Sequence, residues 1–305
     1  MVPYLLGFRP AESLVAMLVR GGRVLLTARM DLPPDAAALV GQVQELVDQH
    51  TLSAVVLVAY SVEPERGRAV LRGQLDGLAG VSIADALLVD GQRWWSLTCT
   101  TGCCPAEGSP YEPDAHPLAA AAVYAGLPVR ASRAEVAAQA AGPAPAEWDG
   151  LRRQARELRP ALRRLGPAGR VAAMSTAVVE ALPEPAPSDV RCLRLALLAR
   201  EVPVRDVACA LISREDAEQH VGLWQHVVAR VPPELAVAPL CLLGVAAWAA
   251  GNGTLLNCCC ERIEHLDPGC SMGLLLADVS ARALPPSFWD ALGAQLRADL
   301  GLLAG

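Results

Sequence analysis

The sequence contains no lysine, so all 26 of its basic residues are arginine, and only 4% of its residues are aromatic. Its 32 acidic residues outnumber the arginines and give the chain a net charge of -6 at pH 7. Such a chain lacks the overall positive surface with which proteins hold nucleic acids or anionic lipids. We therefore expect no broad nucleic-acid interface, although a local basic patch is compatible with this total.

Segments that would direct the chain to a membrane are also lacking. No basic segment followed by an apolar stretch and a cleavage site is found, so no secretory signal is predicted. The longest apolar run, residues 235–250, contains Pro239 and Gly244. It is shorter than the roughly 20 residues of a membrane span and predicts a buried helix. We therefore expect a cytoplasmic protein whose ten cysteines are reduced and mostly fill core space.

Several common catalytic motifs are missing as well. The sequence has no Gly-x-Ser-x-Gly, no phosphate-binding loop ending in Lys-Ser/Thr, no His-Glu-x-x-His and no Gly-x-Gly-x-x-Gly after a strand. These absences lower the expectation for the commonest enzyme classes. An unfamiliar enzyme stays possible.

The N-terminal part alternates strand and helix patterns. Gly21-Gly22 is suited to a tight hairpin turn, and the wholly apolar residues 54–59 are typical of a central strand covered on both faces. The predicted elements are strands 13–19 and 23–30, a helix starting at Pro33-Pro34, strand 53–60, helix 64–78, and strands 83–89 and 92–99. This ββαβαββ order indicates an α/β domain with a mixed sheet.

The C-terminal part is predicted to be helical. Residues 118–124 and 133–141 form short helices, and the linker Gly142-Pro143-Ala144-Pro145 separates an α/β domain of residues 1–142 from an all-α domain of residues 143–305. Prolines, Pro160 among them, are expected to separate successive helices. The helices and turns of residues 239–284 resemble one tetratricopeptide-like pair.

One segment combines reactive residue types with turn residues, and we call residues 93–110 the cysteine loop. Its candidate functional residues are Arg93, Trp94, Trp95, Cys99, Cys103, Cys104 and Glu107. Loops that hold reactive residues often carry function rather than packing. The cysteine loop is therefore the first candidate site.

Three hypotheses for the cysteine loop stay open. Cys99 and Cys103 have a spacing used by zinc ligands, and His116 could complete a zinc site with Cys104, although adjacent cysteines point apart in extended backbone. Alternatively, neighbouring thiols could form a redox pair in which Arg93 favours a thiolate. In the third hypothesis the cysteines fill space while Trp94 and Trp95 alternate across a strand.

A cluster of arginines in residues 151–164 opposes the acidic total. Arg152, Arg156 and Arg159 would form one stripe on a helix and could bind phosphates or an acidic protein surface. The alternative is a solvated helix face that pairs with the acidic remainder of the chain. Both interpretations stay open.

Several motifs resemble an actinobacterial family of domains of unknown function. They are Leu-Leu-Gly-Phe-Arg-Pro-Ala-Glu-Ser-Leu-Val at residues 5–15, Arg-Trp-Trp-Ser at residues 93–96, Cys103-Cys104-Pro105 with Glu107-Gly108, and Pro239-Leu240 with Trp248. The resemblance extends over residues 5–289. It implies a cytoplasmic protein and assigns no catalytic residue.

The leading hypothesis is a non-enzymatic binding or regulatory module. It would present the cysteine loop and a groove of the helical domain to a protein partner. The competing hypothesis is an enzyme, or a metal or redox protein, that uses Cys99, Cys103 and Cys104. Zinc is the cofactor that the cysteine spacing would suit.

Overall fold

The computed structural model describes residues 1–33, 38–115, 117–124 and 129–301. The chain forms two compact units, Met1–Arg133 and Ala134–Gly305. A mixed sheet of six strands lies in the first unit, and many helices follow in the second. The predicted domain boundary at residue 142 stays a prediction. The two units meet in the sequence after Arg133, but compactness alone does not show that either unit is an independently folding domain.

The first unit has the predicted ββαβαββ order between its first and fifth strands. An N-terminal helix of five residues and a last strand of two residues were not predicted, because both are too short for a periodic pattern. The elements are α1 (Val2–Leu6), β1 (Ser13–Arg20), β2 (Arg23–Asp31), α2 (Ala38–Gln49), β3 (Ala54–Tyr60), α3 (Pro64–Gly77), β4 (Ile83–Val89), β5 (Arg93–Ser96), β6 (Ser109–Pro110) and α4 (Pro117–Tyr124).

One predicted helix start lies partly outside the described residues, and one predicted strand end differs from the structure. The helix start predicted at Pro33-Pro34 falls partly outside the described residues, and α2 is described from Ala38. The strand predicted for residues 92–99 is shorter, since β5 ends at Ser96. The backbone bends at Leu97 and Thr98, so Cys99 lies outside the strand.

The sheet has the order β2-β1-β3-β4-β5-β6. β3 and β4 are parallel and are joined through α3, while the other neighbouring strands are antiparallel. β3 thus lies in the interior of the sheet, between β1 and β4, as its apolar sequence predicted.

The main core of the first unit lies on one face of this sheet. Leu57 of β3, Leu88 of β4 and Val43 of α2 are fully buried there, together with Leu71 of α3. On the opposite face Val58 and Tyr60 are also buried, with 2% and 6% exposure, while Val56 is half-buried. Burial on both faces explains why β3 has no polar alternation.

In the second unit, every described element is a helix. The α-helices are α5 (Arg133–Ala138), which begins at the unit boundary, α6 (Trp148–Arg164), α7 (Gly166–Ala181), α8 (Asp189–Leu198), α9 (Val202–Ala210), α10 (Ala217–Val228), α11 (Val237–Ala249), α12 (Gly253–Leu266), α13 (Ser271–Ala281) and α14 (Ser287–Asp299). The predicted turns separate α11, α12 and α13, while the tetratricopeptide likeness stays a prediction.

The apolar run of residues 235–250 forms the most buried helix. Every residue of α11 from Pro239 to Ala249 is buried, and the helix packs against α10 and α12. This confirms the predicted buried helix. Across the described part of the chain, no helix is both long and apolar enough to cross a bilayer.

Pro160 does not separate two helices, contrary to expectation. It lies inside α6, which continues to Arg164. Proline removes the hydrogen bond to the carbonyl of the residue four positions earlier, here Arg156. Pro160 and Arg156 are both exposed, so water can reach this carbonyl and the helix tolerates the missing bond.

The packing of α3 on the sheet yields a first prediction. A Cβ atom at Gly67 would lie 2.4 Å from Cδ1 of Leu88, which is fully buried. Gly67→Ala should therefore lower the free energy of unfolding by about 1–3 kcal/mol through overpacking. Gly41→Ala is the control, because that exposed helical glycine has no neighbour within 4 Å. It should raise stability by up to about 1 kcal/mol. Urea denaturation measures both values, and equal effects would contradict the packing argument.

Candidate functional site

The cysteine loop comprises the last two strands of the sheet and the segment that joins them. It leaves β5 after Ser96 and returns in β6, where Ser109 pairs with Trp94. The backbone N–H of Leu97 still donates to the carbonyl of Ala86, at 2.8 Å. The loop therefore starts and ends on the sheet.

Asp85 of β4 holds the outgoing side of the loop. Its Oδ1 atom accepts hydrogen bonds from the hydroxyl groups of Ser96 and Thr98, each at 2.7 Å. The same atom accepts the backbone N–H of Ala86 at 2.9 Å. A carboxylate that accepts three bonds fixes the backbone just before Cys99.

Arg93 and Trp95 hold the returning side. The Arg93 guanidinium donates to the carbonyls of Gly108, at 2.7 Å, and Glu107, at 3.2 Å. The Trp95 indole donates to the carbonyl of Ala106 at 3.2 Å. Arg93 thus binds the loop backbone, while its effect on a thiolate stays a prediction.

The two tryptophans alternate across β5 as expected. Trp95 packs against the main core, and the guanidinium carbon of Arg68 lies 5.4 Å from its ring centroid. Trp94 points to the other face and is half-buried. The Glu107 side chain is exposed, so its contribution to the loop comes from its carbonyl.

The loop brings three thiols together. The sulfur atoms of Cys99 and Cys103 are 3.4 Å apart, and those of Cys99, Cys103 and Cys104 all lie within 4.8 Å of one another. The expectation that adjacent Cys103 and Cys104 point apart was wrong. It assumed extended backbone, whereas the chain bends at Cys104, after a turn at Gly102, whose φ is 69°.

The three thiols are accessible and do not titrate alike. Cys103 is exposed, while Cys99 and Cys104 are half-buried. Hydrogen bonds from the Cys104 and Cys103 thiols lower the pKa of Cys99 to about 6. The hydrogen bond to Cys99 raises the pKa of Cys104 to about 11. At neutral pH the cluster therefore holds a thiolate at Cys99 and a thiol at Cys104.

The remaining predicted site residues are His116 and three arginines of α6. His116 is outside the described residues, so its place as a zinc ligand stays a prediction. Arg152 donates to Glu234, with its Nε 2.8 Å from Oε1, and also contacts Asp149. Arg156 is exposed, and Arg159 is half-buried. The anion site formed by these three arginines stays a prediction.

Sequence reasoning missed two groups of residues with defined contacts. Glu12 has a left-handed backbone with φ of 42° and accepts from Ser61, Val62 and Arg66 at the end of β3. The signal in the sequence was the position of this carboxylate within the motif of residues 5–15, which is otherwise mostly apolar. Asp85 was the second missed residue. It lies two positions before Leu87, which pairs with Ser96, so Asp85 and Ser96 lie on the same face of the β4–β5 hairpin, and this pattern could have indicated their contact.

The structure also pairs two distant cysteines that the sequence did not connect. The sulfur atoms of Cys241 in α11 and Cys270, which precedes α13, are 3.7 Å apart. The hydrogen bond from Cys241 lowers the pKa of Cys270 to about 6. Cys258 and Cys259 are buried in the second unit, as expected for core residues.

Fold and site together define an α/β protein that carries a three-thiol loop at the edge of its sheet and has a helical second unit. The chain belongs to the family described as a domain of unknown function (DUF4192), whose profile matches residues 1–287. This confirms the resemblance to a family of unknown function, while the actinobacterial origin stays a prediction. No curated protein and no solved structure is significantly similar to the chain.

The contact between Gly108 and Trp95 gives a second prediction. A Cβ atom at Gly108 would lie 2.4 Å from Cε2 of Trp95, and the residue has φ of 80°. Gly108→Ala should displace the indole, and the change in tryptophan emission reports this. Gly91→Ala is a matched control with φ of 99° and no neighbour within 4 Å. It shares the backbone strain, of about 1 kcal/mol or more. Identical emission and stability of the two variants would contradict the proposed packing.

The unequal thiols give a third prediction. Alkylation of Cys99 by iodoacetamide should reach half its maximal rate near pH 6, whereas Cys104 should need a pH near 11. Tandem mass spectrometry separates the two sites. In Cys104→Ala the Cys99 profile should move to higher pH, because the donated hydrogen bond is lost. Equal alkylation rates at Cys99 and Cys104 at every pH would contradict the predicted difference between their pKa values.

Proposed function

We propose that the protein is a binding module whose cysteine loop holds a zinc-class metal ion through Cys99, Cys103 and Cys104. The observation that carries the proposal is the separation of the three sulfur atoms, all within 4.8 Å of one another. Tetrahedral zinc with Zn–S bonds of about 2.3 Å needs sulfur atoms about 3.8 Å apart. Small rotations of the three side chains would meet this requirement.

The anchoring of the loop supports metal binding. Asp85 and Arg93 fix the backbone on either side of the thiols through hydrogen bonds of 2.7 Å. Ligands that are already ordered lose less conformational entropy when an ion binds. The loop therefore supplies a partly formed site instead of three independent side chains.

Three protein ligands leave one tetrahedral position for an exogenous ligand. Zinc sites with a fourth position taken by water or another molecule exchange that ligand, whereas purely structural sites usually have four protein ligands. Cys103 is exposed, which gives such a ligand access. Catalytic zinc sites share this open arrangement, so the proposed binding role rests on the missing catalytic motifs and not on the number of ligands.

The same proposal includes a protein partner for the helical unit. Its support is apolar exposure, since Leu274 and Leu275 of α13 and Phe288 of α14 are 61%, 66% and 55% exposed. Side chains of this kind often mark protein interfaces when they cluster. Metal binding does not depend on this part of the proposal.

Metal titration of the reduced full-length protein tests the proposal. We expect one zinc or cobalt ion per chain, with cobalt absorption that reports thiolate ligation. Cys103→Ser should weaken binding by about 100-fold or more, since loss of a mere supporting residue costs about 10–100-fold. Cys260→Ser is the control, because that half-buried cysteine lies in α12 outside the cluster. No stoichiometric metal, or an equal loss in both variants, would reject the site.

A redox role is the second candidate, supported by the 3.4 Å between the sulfur atoms of Cys99 and Cys103. Hydrogen peroxide would oxidise the two thiols to one disulfide and be reduced to two water molecules. The lowered pKa of Cys99 supplies the attacking thiolate. Peptide mapping of protein treated with peroxide should locate a Cys99–Cys103 bridge. Oxidation that spares this pair would reject the redox role and leave metal binding intact.

A further inference from the structure

The helical unit contains a cavity with a concentration of positive charge. It lies among α6, α7, the end of α8 and the start of α9, and its volume is about 310 Å³. Four arginines line it, Arg159 and Arg163 from α6, Arg170 from α7 and Arg200 after α8. This convergence is unexpected in a chain whose net charge is -6.

The charges in the cavity are not balanced by the residues that line it. Glu201 is the one carboxylate among the described lining residues, and it lies 2.8 Å from Nε of Arg170. Arg163 and Arg200 are left without a carboxylate in this lining, whereas the charge of Arg159 also acts on Glu234, whose pKa is lowered mainly by Arg152 and further by Arg159. Like charges that share a cavity repel one another, and a bound anion would relieve this repulsion.

Arg159 adds an unsatisfied donor. Its Nε atom is buried and has no hydrogen-bond acceptor among the described residues. A buried donor without an acceptor costs free energy, which an acceptor inside the cavity would remove. Arg163 also complements the negative end of the α6 dipole, but this does not account for Arg159 or Arg200.

The residue types indicate the chemistry of the ligand. A guanidinium presents two parallel donors that match the oxygen atoms of a phosphate, so several arginines suit a multiply charged phosphate. Leu162, Leu197 and Leu198 supply an apolar part of the wall. The volume is at the lower end of the roughly 300–1,000 Å³ typical of small-molecule sites.

From these observations we infer that the cavity formed by Arg159, Arg163, Arg170 and Arg200 binds a small anion of the pyrophosphate or phosphate-ester class. This site differs from the predicted stripe, because Arg152 is occupied by Glu234 and only Arg159 is shared. It is also independent of the cysteine loop. A nucleic-acid strand fits less well, since it would need a basic surface that extends beyond this one partly open cavity.

Calorimetric titration of the full-length protein with inorganic pyrophosphate at constant ionic strength tests the inference. We expect saturable binding of one pyrophosphate per chain, weaker binding of sulfate, and a rise in Tm with pyrophosphate concentration. Arg163→Ala and Arg200→Ala should each weaken binding about tenfold or more, as expected for a lost charge-assisted contact. Both residues are exposed, so the variants should fold.

Arg153→Ala is the matched control. Arg153 is exposed on α6 and does not line the cavity, so its substitution removes one positive charge without changing the cavity wall. The affinity of this variant for pyrophosphate should stay within about twofold of that of the unchanged protein. Absence of saturable binding, or the same loss in Arg153→Ala, would overturn the site. Tight binding of a single-stranded DNA oligomer without pyrophosphate binding would also overturn it in favour of a nucleic-acid surface.

Discussion

The burial of β3 on both faces is the constraint on which the first unit depends. A strand without a polar face must have neighbours on each edge and cover on each side, and β3 has β1 and β4 beside it. The parallel β3–β4 pair requires the crossover through α3, and β4 in turn provides the edge on which β5 pairs. The cysteine loop is thus positioned by a series of strand pairings that starts at the centre of the core.

The proximity of the three thiols follows from the backbone rather than from the thiols themselves. Asp85 fixes the chain before Cys99, Arg93 fixes it near Gly108, and Gly102 supplies a left-handed turn between them. Fixing a loop costs conformational entropy, and here hydrogen bonds to the sheet offset that cost before any ligand arrives. The sheet therefore contributes to the chemistry of the loop without donating a ligand.

Local patterns in the sequence were sufficient for the first five strands, apart from the end of β5, for most helices and for the alternation of Trp94 and Trp95. They depend on residues close in the chain, where periodicity and turn residues determine the structure. The position of Cys104 was not predictable in this way, because it depends on the backbone angle at Gly102. The cavity around Arg159 was equally inaccessible, since Arg170 and Arg200 come from other helices. Pro160 misled because its effect depends on whether water reaches the carbonyl of Arg156.

The unequal thiols also constrain how the cluster could bind a metal. At neutral pH Cys99 is already a thiolate, whereas Cys104, with a pKa of about 11, keeps its proton. A metal ion bound by all three sulfur atoms must displace that proton, so its apparent affinity should rise with pH. Oxidation needs only the thiolate of Cys99 and the nearby sulfur of Cys103. The two proposed functions, metal binding and oxidation, would thus compete for Cys99 but differ in their demand on Cys104, so Cys104 is the residue whose substitution would distinguish them.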